Sequence, residues 1–418
     1  MNEGIGNEMT AGADGWPESR DAASSPRIIM GGAPLLGQLT GIGHYTRQLI
    51  SALREHELVA DLKVWGDVGF IKPTTDLLTG QASRTLRADA TPDRAHTTIR
   101  QSLRSIASRS YFAAQAYSAV TDRVAQTRLA PFASSHLYHS PNFILPRFDG
   151  AKVVTVHDLS VMKFPEFHRR QMVAMCERGI LRAIAEGADI IVDSLQVQSE
   201  LVADFGLSEQ RVTTVHLAPD PRCRPRSAAE CRSVLDRFGL RYRGFFLCVG
   251  TIEPRKNLLR LFDAYRAGRE GGLFDWPLVV VGAKGWKSGA EHAALDELCS
   301  DGYAHYLNYL DDATLHQLYA STGLLVFPSL YEGFGLPAIE AVASGSRVLT
   351  SRGSAMEEFV DPTALLVDPT SVEALTSNLQ LAVEENEAWL PANPIARTWY
   401  QVALETQAVY RRAQPGFR

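Results

Sequence analysis

Between residues 27 and 412 the chain alternates short apolar runs with longer stretches of mixed polarity. The runs at 27–30, 152–156, 188–192, 245–249, 277–281, 323–327, 347–350 and 364–367 are short, rich in Val, Ile, Leu and Phe, and bounded by Gly, Pro or polar residues, which predicts buried strands. Two more strands are expected at 211–217 and 305–309, and 137–143 reads as a strand end with a turn. Between the runs, apolar residues recur at helical spacing. Ile42, Tyr45, Leu49 and Leu53 mark a helix over 43–55, and Leu258, Leu261, Phe262 and Tyr265 mark one opening at Asn257, read as its cap. Further helices are expected over 166–186, after a Ser194 cap, up to 320 from an Asp311 or Asp312 cap, from 355, over 371–384 and over 396–412. Strands alternating with helices predict an α/β fold with parallel sheets.

The proline-rich stretch from Ala218 to Arg226 divides this alternation in two, and each part suits one α/β domain. The expected organisation is a disordered tail at 1–26, a first domain at 27–220, a linker at 221–243 and a second domain at 244–394. The last helix, 395–418, could cross back onto the first domain.

The most informative segment runs from Phe327 to Glu340. A strand enters a turn carrying Glu332, and Gly333-Phe334-Gly335 then opens a helix with Pro337 in its first turn. Proline suits that position because its missing N–H would be unpaired there anyway. Gly345 is the expected C-terminal cap. Glu332 and Glu340, eight residues apart, offer carboxylates to hydroxyls. The glycines let backbone approach a ligand, and helix-start amides favour anions. A site of that kind suits a nucleotide sugar.

Other candidates lie at strand ends, where ligands gather in parallel α/β sheets. A glycine loop with Gly41 and Gly43 follows the first strand. His157-Asp158 ends the strand at 152–156, and imidazole can donate to a sugar hydroxyl or share a proton near neutral pH. Arg255-Lys256 lies between a strand and a helix start, a placement that suits a diphosphate.

Composition narrows the partners. The 418 residues are 45% apolar and 21% charged with net charge -5, which gives no case for nucleic acid. No apolar run approaches the roughly 20 residues a membrane-spanning helix needs. The polar N-terminus lacks the apolar core of a secretory signal. Five scattered cysteines argue against a zinc site or disulfide framework and fit a cytoplasmic protein. No Asp-x-Asp sits in a suitable strand-end loop, so no metal is expected. Residues 84–130 carry eight arginines against three aspartates. An amphipathic basic helix there would lie on an anionic membrane surface or, more plainly, pack as a solvated surface helix.

Taken together, Glu332-x7-Glu340 within Tyr-Glu-Gly-Phe-Gly-Leu-Pro, Gly-Thr-Ile-Glu-Pro-Arg-Lys-Asn, Thr-Gly-Ile-Gly-His-Tyr and Val-His-Asp-Leu resemble family 4 of the glycosyltransferases, enzymes of the GT-B fold. The resemblance covers about residues 27–412. It implies two Rossmann-like, doubly wound domains facing across a cleft, with the nucleotide-sugar donor on the second and the acceptor on the first. It also implies retention of configuration and no metal or other cofactor. By position, Glu340 would hold the ribose hydroxyls and Glu332 would face the donor sugar beside the backbone of Gly333, Phe334, Gly335 and Leu336. Lys256, helped by Arg255, would neutralise the leaving diphosphate. His157 would reach the donor sugar near the reacting carbon, and Gly41 and Gly43 would let their loop close over the diphosphate.

One position departs from the pattern. Thr251 stands where many members carry arginine, so Arg255 or Arg352 would have to meet the second phosphate charge. The resemblance favours front-side attack over a covalent intermediate on Asp158 or Glu332, which the residues alone leave open. The wording of the motifs looks like that of bacterial mannosyltransferases of surface polysaccharide assembly. It thus implies GDP-mannose, a lipid-linked saccharide acceptor and work at the inner face of the cytoplasmic membrane. Rhamnosyl or glucosyl transfer, or a non-catalytic sugar-nucleotide-binding subunit, are the alternatives.

Overall fold

The computed structural model describes residues 25–36, 39–66, 68–72, 111–308, 310–360, 363–386 and 396–414, with the side chains of 111–119 left aside. Arg84 to Arg109 of the basic stretch, and nearly all of the N-terminal tail, lie outside the described residues.

The first sheet contains β1 (Arg27–Gly31), β2 (Asp61–Trp65), β3 (Phe70–Ile71), β4 (Leu137–Ser140), β5 (Lys152–Val156), β6 (Asp189–Val192) and β7 (Val212–Thr214) in the order β3-β2-β1-β4-β5-β6-β7. Its pairs are parallel except β2 with β3. Helices α1 (Gly41–Glu55), α2 (Tyr111–Leu129), α3 (Ser160–Lys163), α4 (Arg170–Ala185) and α5 (Leu195–Phe205) belong to this part of the chain. The apolar runs become its central strands because both faces are covered, and Ile28, Ile29 and Met30 are fully buried. β2 escapes the apolar pattern, since Asp61, Leu62 and Lys63 are only partly buried near the sheet edge.

The second part restarts with α6 (Ala228–Phe238), β8 (Phe246–Val249), α7 (Leu258–Glu270), β9 (Leu278–Val281), α8 (Gly289–Ser300), β10 (Ala304–Leu307) and α9 (Asp312–Ser321). It continues through β11 (Leu324–Phe327), α10 (Leu336–Ala343), β12 (Val348–Ser351), β13 (Leu365–Val367), α11 (Val372–Glu384) and α12 (Trp399–Ala413). Its sheet, in the order β10-β9-β8-β11-β12-β13, is parallel throughout. Each sheet therefore reverses winding direction once, between β1 and β4 and between β8 and β11. Doubly wound sheets bind ligands in the crevice at such a switch.

Several local expectations need correction. Within 221–243, expected as a linker, Ala228–Phe238 forms α6. A Ser227–Glu230 capping box starts it, and Cys231, Val234 and Leu235 pack into the core of the second sheet. The helix expected over 166–186 is broken. Pro165 opens a 3-10 turn, and α4 begins at Arg170. The helix expected from 355 is only a 3-10 turn at Ala355–Glu358. Asn257 takes a left-handed conformation at the start of α7 (φ 59) and caps nothing with its side chain. Its amide donates instead to the carbonyls of Pro328 (3.1 Å) and Pro369 (2.7 Å), tying two loops to the helix. Ser194 does cap α5, and of the two aspartates it is Asp311 that caps α9.

Helix α12 packs on the first sheet. Trp399, Val402, Ala403, Val409 and Tyr410 join the apolar core that contains Ile28, Leu49 and Leu137. The Tyr410 hydroxyl meets His139 Nδ1 at 2.6 Å, His139 Nε2 meets Thr155 Oγ1 at 2.8 Å, and Thr155 meets the Tyr45 hydroxyl at 3.0 Å. Burial, then the charge of His157, holds the His139 imidazole down at about 3, so it is neutral and both its nitrogens are satisfied.

Candidate active site

The loops after β8 and β11 meet at the switch point of the second sheet. Lys256 Nζ lies 2.6 Å from Glu332 Oε1, and Arg255 Nη1 lies 2.9 Å from Glu332 Oε2. Arg255 also donates to Glu253 (2.8 Å) and to the Tyr331 carbonyl (2.7 Å). Lys256 Nζ sits 4.5 Å from the centre of the Phe327 ring. Glu332 is 7% exposed. Burial alone would raise its pKa, but Arg255 and Lys256 overcome this and hold it at about 2. The expected donor-sugar carboxylate and the expected phosphate cations thus form one ion cluster.

Glu340 lies elsewhere on the same helix-and-loop unit, half-buried in α10. Burial, then repulsion from Asp220, raises its carboxyl to about 8, with the Tyr319 hydroxyl working the other way. Asp220 is itself locked by Arg222, 2.7 Å away, and Arg222 also reaches Asp312 at 2.8 Å. Arg47 from α1, 2% exposed, approaches Asp220 Oδ2 at 3.7 Å and Asp312 Oδ2 at 4.0 Å. This cluster joins α1 of the first domain to Asp312 of the second. Gly43 is crowded by Leu39 and the Pro34 carbonyl, whereas Gly41 has nothing near the place of a Cβ.

His157 directly follows β5, its ring held within the first domain and its carbonyl turned to Gly333 of the second. Its Nδ1 is 2.6 Å from Asp193 Oδ2, and its Nε2 is 2.9 Å from the Pro141 carbonyl. The edge of Tyr45 packs on its ring at 4.8 Å between centres. Burial works to lower the His157 pKa, but the Asp193 charge and bonds to Asp193 and Pro141 raise it overall. A Cβ at Gly333 would collide with the His157 carbonyl and crowd Asp158. Gly333 therefore brings the loop after β11 against the end of β5. Gly335, at φ 102, starts α10 in a conformation that side-chain-bearing residues rarely adopt. The Phe334 side chain turns into the apolar core, stacked on Phe359 at 4.3 Å, and Leu336 packs beside that core. Phe334 thus offers a ligand only its backbone, while Leu336 stays partly exposed.

Other contacts hold the domains closed. The Tyr331 hydroxyl donates to Glu200 (2.6 Å) and accepts from the Leu159 N–H (3.2 Å). Glu358 accepts from the Leu195 and Gln196 amides, at 2.8 and 3.0 Å, and pairs with His216 Nε2 at 2.8 Å. Trp286 Nε1 donates to the Phe167 carbonyl at 2.8 Å. Thr251 is exposed, and Arg352 is held at the Leu366 carbonyl (3.0 Å). Among the described residues no group of three or more His, Cys, Asp or Glu is arranged to hold a metal ion.

Asp193, Arg47, Asp220 and Glu358 were not singled out from the sequence. Asp193 carried a usable signal, since it follows a strand end just as His157 does. The other three are recognisable only once the two domains are brought together.

Residues 241–397 match the family described as glycosyl transferases group 1. The chain is 30% identical over 363 residues to O-antigen chain mannosyltransferase B of Escherichia coli, covering 87% of this chain and 92% of that one. The chain belongs to the group 1 glycosyltransferases. A second relative, the MMP alpha-(1->4)-mannosyltransferase of Mycolicibacterium hassiacum, is 28% identical over 57% of this chain and 56% of its own. In fold, this glycosyltransferase is similar to the crystal structure of WaaG, a glycosyltransferase involved in lipopolysaccharide biosynthesis. That likeness has a TM-score of 0.61 at 13% identity and covers 93% of this chain and 95% of the other. The architecture is therefore GT-B, with two doubly wound domains, and the ion cluster of Glu332 lies at the switch point of its second sheet.

Proposed function

We propose that this glycosyltransferase moves a mannosyl residue from GDP-mannose to a lipid-linked saccharide in bacterial surface polysaccharide assembly, with retention and without a metal ion. The observation that carries the sugar is the likeness to an O-antigen chain mannosyltransferase over nearly the whole of both chains. The ion cluster supports the chemistry. As the glycosidic bond breaks, charge grows on the leaving diphosphate, and fixed cations stabilise it without having to reorganise. Lys256 acts as a point charge and Arg255 can bind two oxygens. When the diphosphate takes the cations, the Glu332 carboxylate is freed to accept from a sugar hydroxyl. Glu340 accepts from the ribose hydroxyls. The acceptor hydroxyl approaches from the first domain and attacks on the face left by the diphosphate, its proton passing to the departing diphosphate oxygen, which gives retention.

The acceptor places the work at the inner face of the cytoplasmic membrane. Among the described residues no helix is long and apolar enough to cross a membrane. Docking on anionic lipid falls to the basic stretch 84–130, of which Arg123 and Arg128 are exposed on α2.

The test is a screen of GDP-, UDP- and dTDP-sugars by thermal shift, followed by transfer to a lipid-linked acceptor in the presence of a chelator. A ligand that binds the folded state alone raises the melting temperature in step with its concentration over its Kd. The expected result is selective stabilisation by GDP-mannose and chelator-resistant formation of an α-linked product. Selectivity for another nucleotide, loss of transfer on chelation, or a β-linked product would each remove the corresponding part of the proposal.

A further inference from the structure

We propose that Asp193 is a positioning residue for glycosyl transfer, holding the His157 ring doubly bonded so that the His157 carbonyl is fixed against the donor-side loop. The inference rests on the reading of His157 as a residue of the donor site. Both ring nitrogens of His157 face acceptors, the Asp193 carboxylate at 2.6 Å and the Pro141 carbonyl at 2.9 Å. A carbonyl oxygen has no proton to give, so Nε2 must carry one. With Asp193 ionised, Nδ1 donates as well and the ring is the imidazolium; burial raises the Asp193 carboxyl, while the His157 charge and its bond work the other way. Neither nitrogen is then left to act as a base toward substrate. What His157 turns toward the second domain is its backbone carbonyl, close enough to Gly333 to exclude a Cβ.

Asp193 is 2% exposed, and its Oδ1 has no hydrogen-bond partner among the described residues. A buried carboxylate with one orphaned oxygen is a burden on stability unless its charge is used. Here the charge sits beside the imidazolium and ahead of Ser194, which caps α5. The groups facing His157 are Asp193 just after β6, Asp158 beside it in sequence, Tyr45 from α1 and neutral His139 from β4, with His216 beyond Asp193. Of these, Asp193 is the one in contact through a charged hydrogen bond, so its removal changes the ring most.

The experiment compares wild type with Asp193→Asn and Asp193→Glu in the full chain. It follows histidine ring signals by NMR against pH, with His157→Ala to identify the His157 signal, and measures the pH profile of kcat with the donor that the screen selects. In wild type the His157 ring should stay protonated above the ordinary histidine range. In Asp193→Asn its titration and the alkaline limb of kcat should move together to lower pH, by at least about one unit. Turnover should fall more than donor KM rises, and Asp193→Glu should restore part of both. A ring that titrates normally in wild type, or an unchanged kcat profile in Asp193→Asn despite a shifted ring, would overturn the proposal. If the screen selects another sugar, the mannose reading fails while the ring titration and its link to kcat still stand or fall on their own.

Discussion

Lys256 Nζ and Glu332 Oε1 stand 2.6 Å apart, with Arg255 closing the other side of the same carboxylate at 2.9 Å. The anion holds two partly buried cations in place, and in the proposed reaction the diphosphate of the donor takes them over. Lys256→Ala is expected to lower kcat by about 10²–10³, the range for removing one preorganised charge-stabilising donor, with a smaller effect on donor KM. Steady-state kinetics with the preferred donor checks this, and wild-type kcat would remove Lys256 from the leaving group.

The same pair has a pH signature. Glu332 is held at about 2 against an ordinary 4.5, so the folded state binds its proton less readily than the unfolded state. Its stabilising contribution is then complete above about pH 4.5 and is lost as pH falls toward about 2. Glu332→Gln should therefore melt below wild type at neutral pH, and the gap should narrow on acidification through that window. A gap that does not change with pH would mean that the ion cluster is not what Gln disrupts.

Glu340 has the opposite sign. Its carboxyl is raised to about 8, so its contribution is present below about pH 4.5 and fades as pH rises to about 8. Glu340→Gln should melt above wild type at pH 8.5 and match it near pH 4.5. The same substitution should weaken donor binding, and at pH 8.5, where the carboxylate is charged, Glu340→Ala should weaken it by about 1.5–3 kcal/mol. Calorimetric titration beside thermal melts tests both halves, and a variant that gains stability at no loss of donor affinity would take Glu340 out of the ribose site.

Glu358 belongs to the second domain yet caps a helix of the first, through the Leu195 and Gln196 amides. Losing a cap costs about 1 kcal/mol, here against the closed arrangement alone. If closure is needed for tight donor binding, Glu358→Ala should weaken donor affinity roughly fivefold and enlarge the donor-free particle in small-angle scattering. An unchanged scattering profile would show that the other contacts suffice to hold the domains.

The legible and illegible parts of this molecule separate by the range of the interactions involved. Buried strands such as β8 and β11 announce themselves because both faces are covered and every residue is apolar. β2 does not, because its Asp61 and Lys63 reach solvent near a sheet edge and pair with each other at 2.6 Å. Local chemistry at strand ends singled out His157, Lys256 and Glu332. The cluster of Arg47, Asp220, Arg222 and Asp312 draws on segments scattered along the chain, and Arg47, set between Thr46 and Gln48, carries no sign in the sequence that it is buried. Asn257 shows a local rule overridden, since its amide found carbonyls on two distant loops instead of the helix start.

Gly333 and Gly335 are two residues apart and should fail in different ways when changed to alanine. Gly335 has φ 102, and an added Cβ would also press on Met356. Alanine there is strained whether the domains are open or closed, at a cost of about 1–2 kcal/mol from the backbone alone. Gly333 is not among the residues with positive φ, and its crowding comes from the His157 carbonyl and Asp158 in the opposite domain. Gly333→Ala should therefore melt close to wild type, while its catalysis falls because the domains cannot meet. Gly335→Ala should lose several degrees of melting temperature. Thermal melts of both variants, with kcat and small-angle scattering of Gly333→Ala, distinguish the two. A Gly333→Ala variant that turns over at the wild-type rate would mean that the contact with His157 is not part of the reacting state.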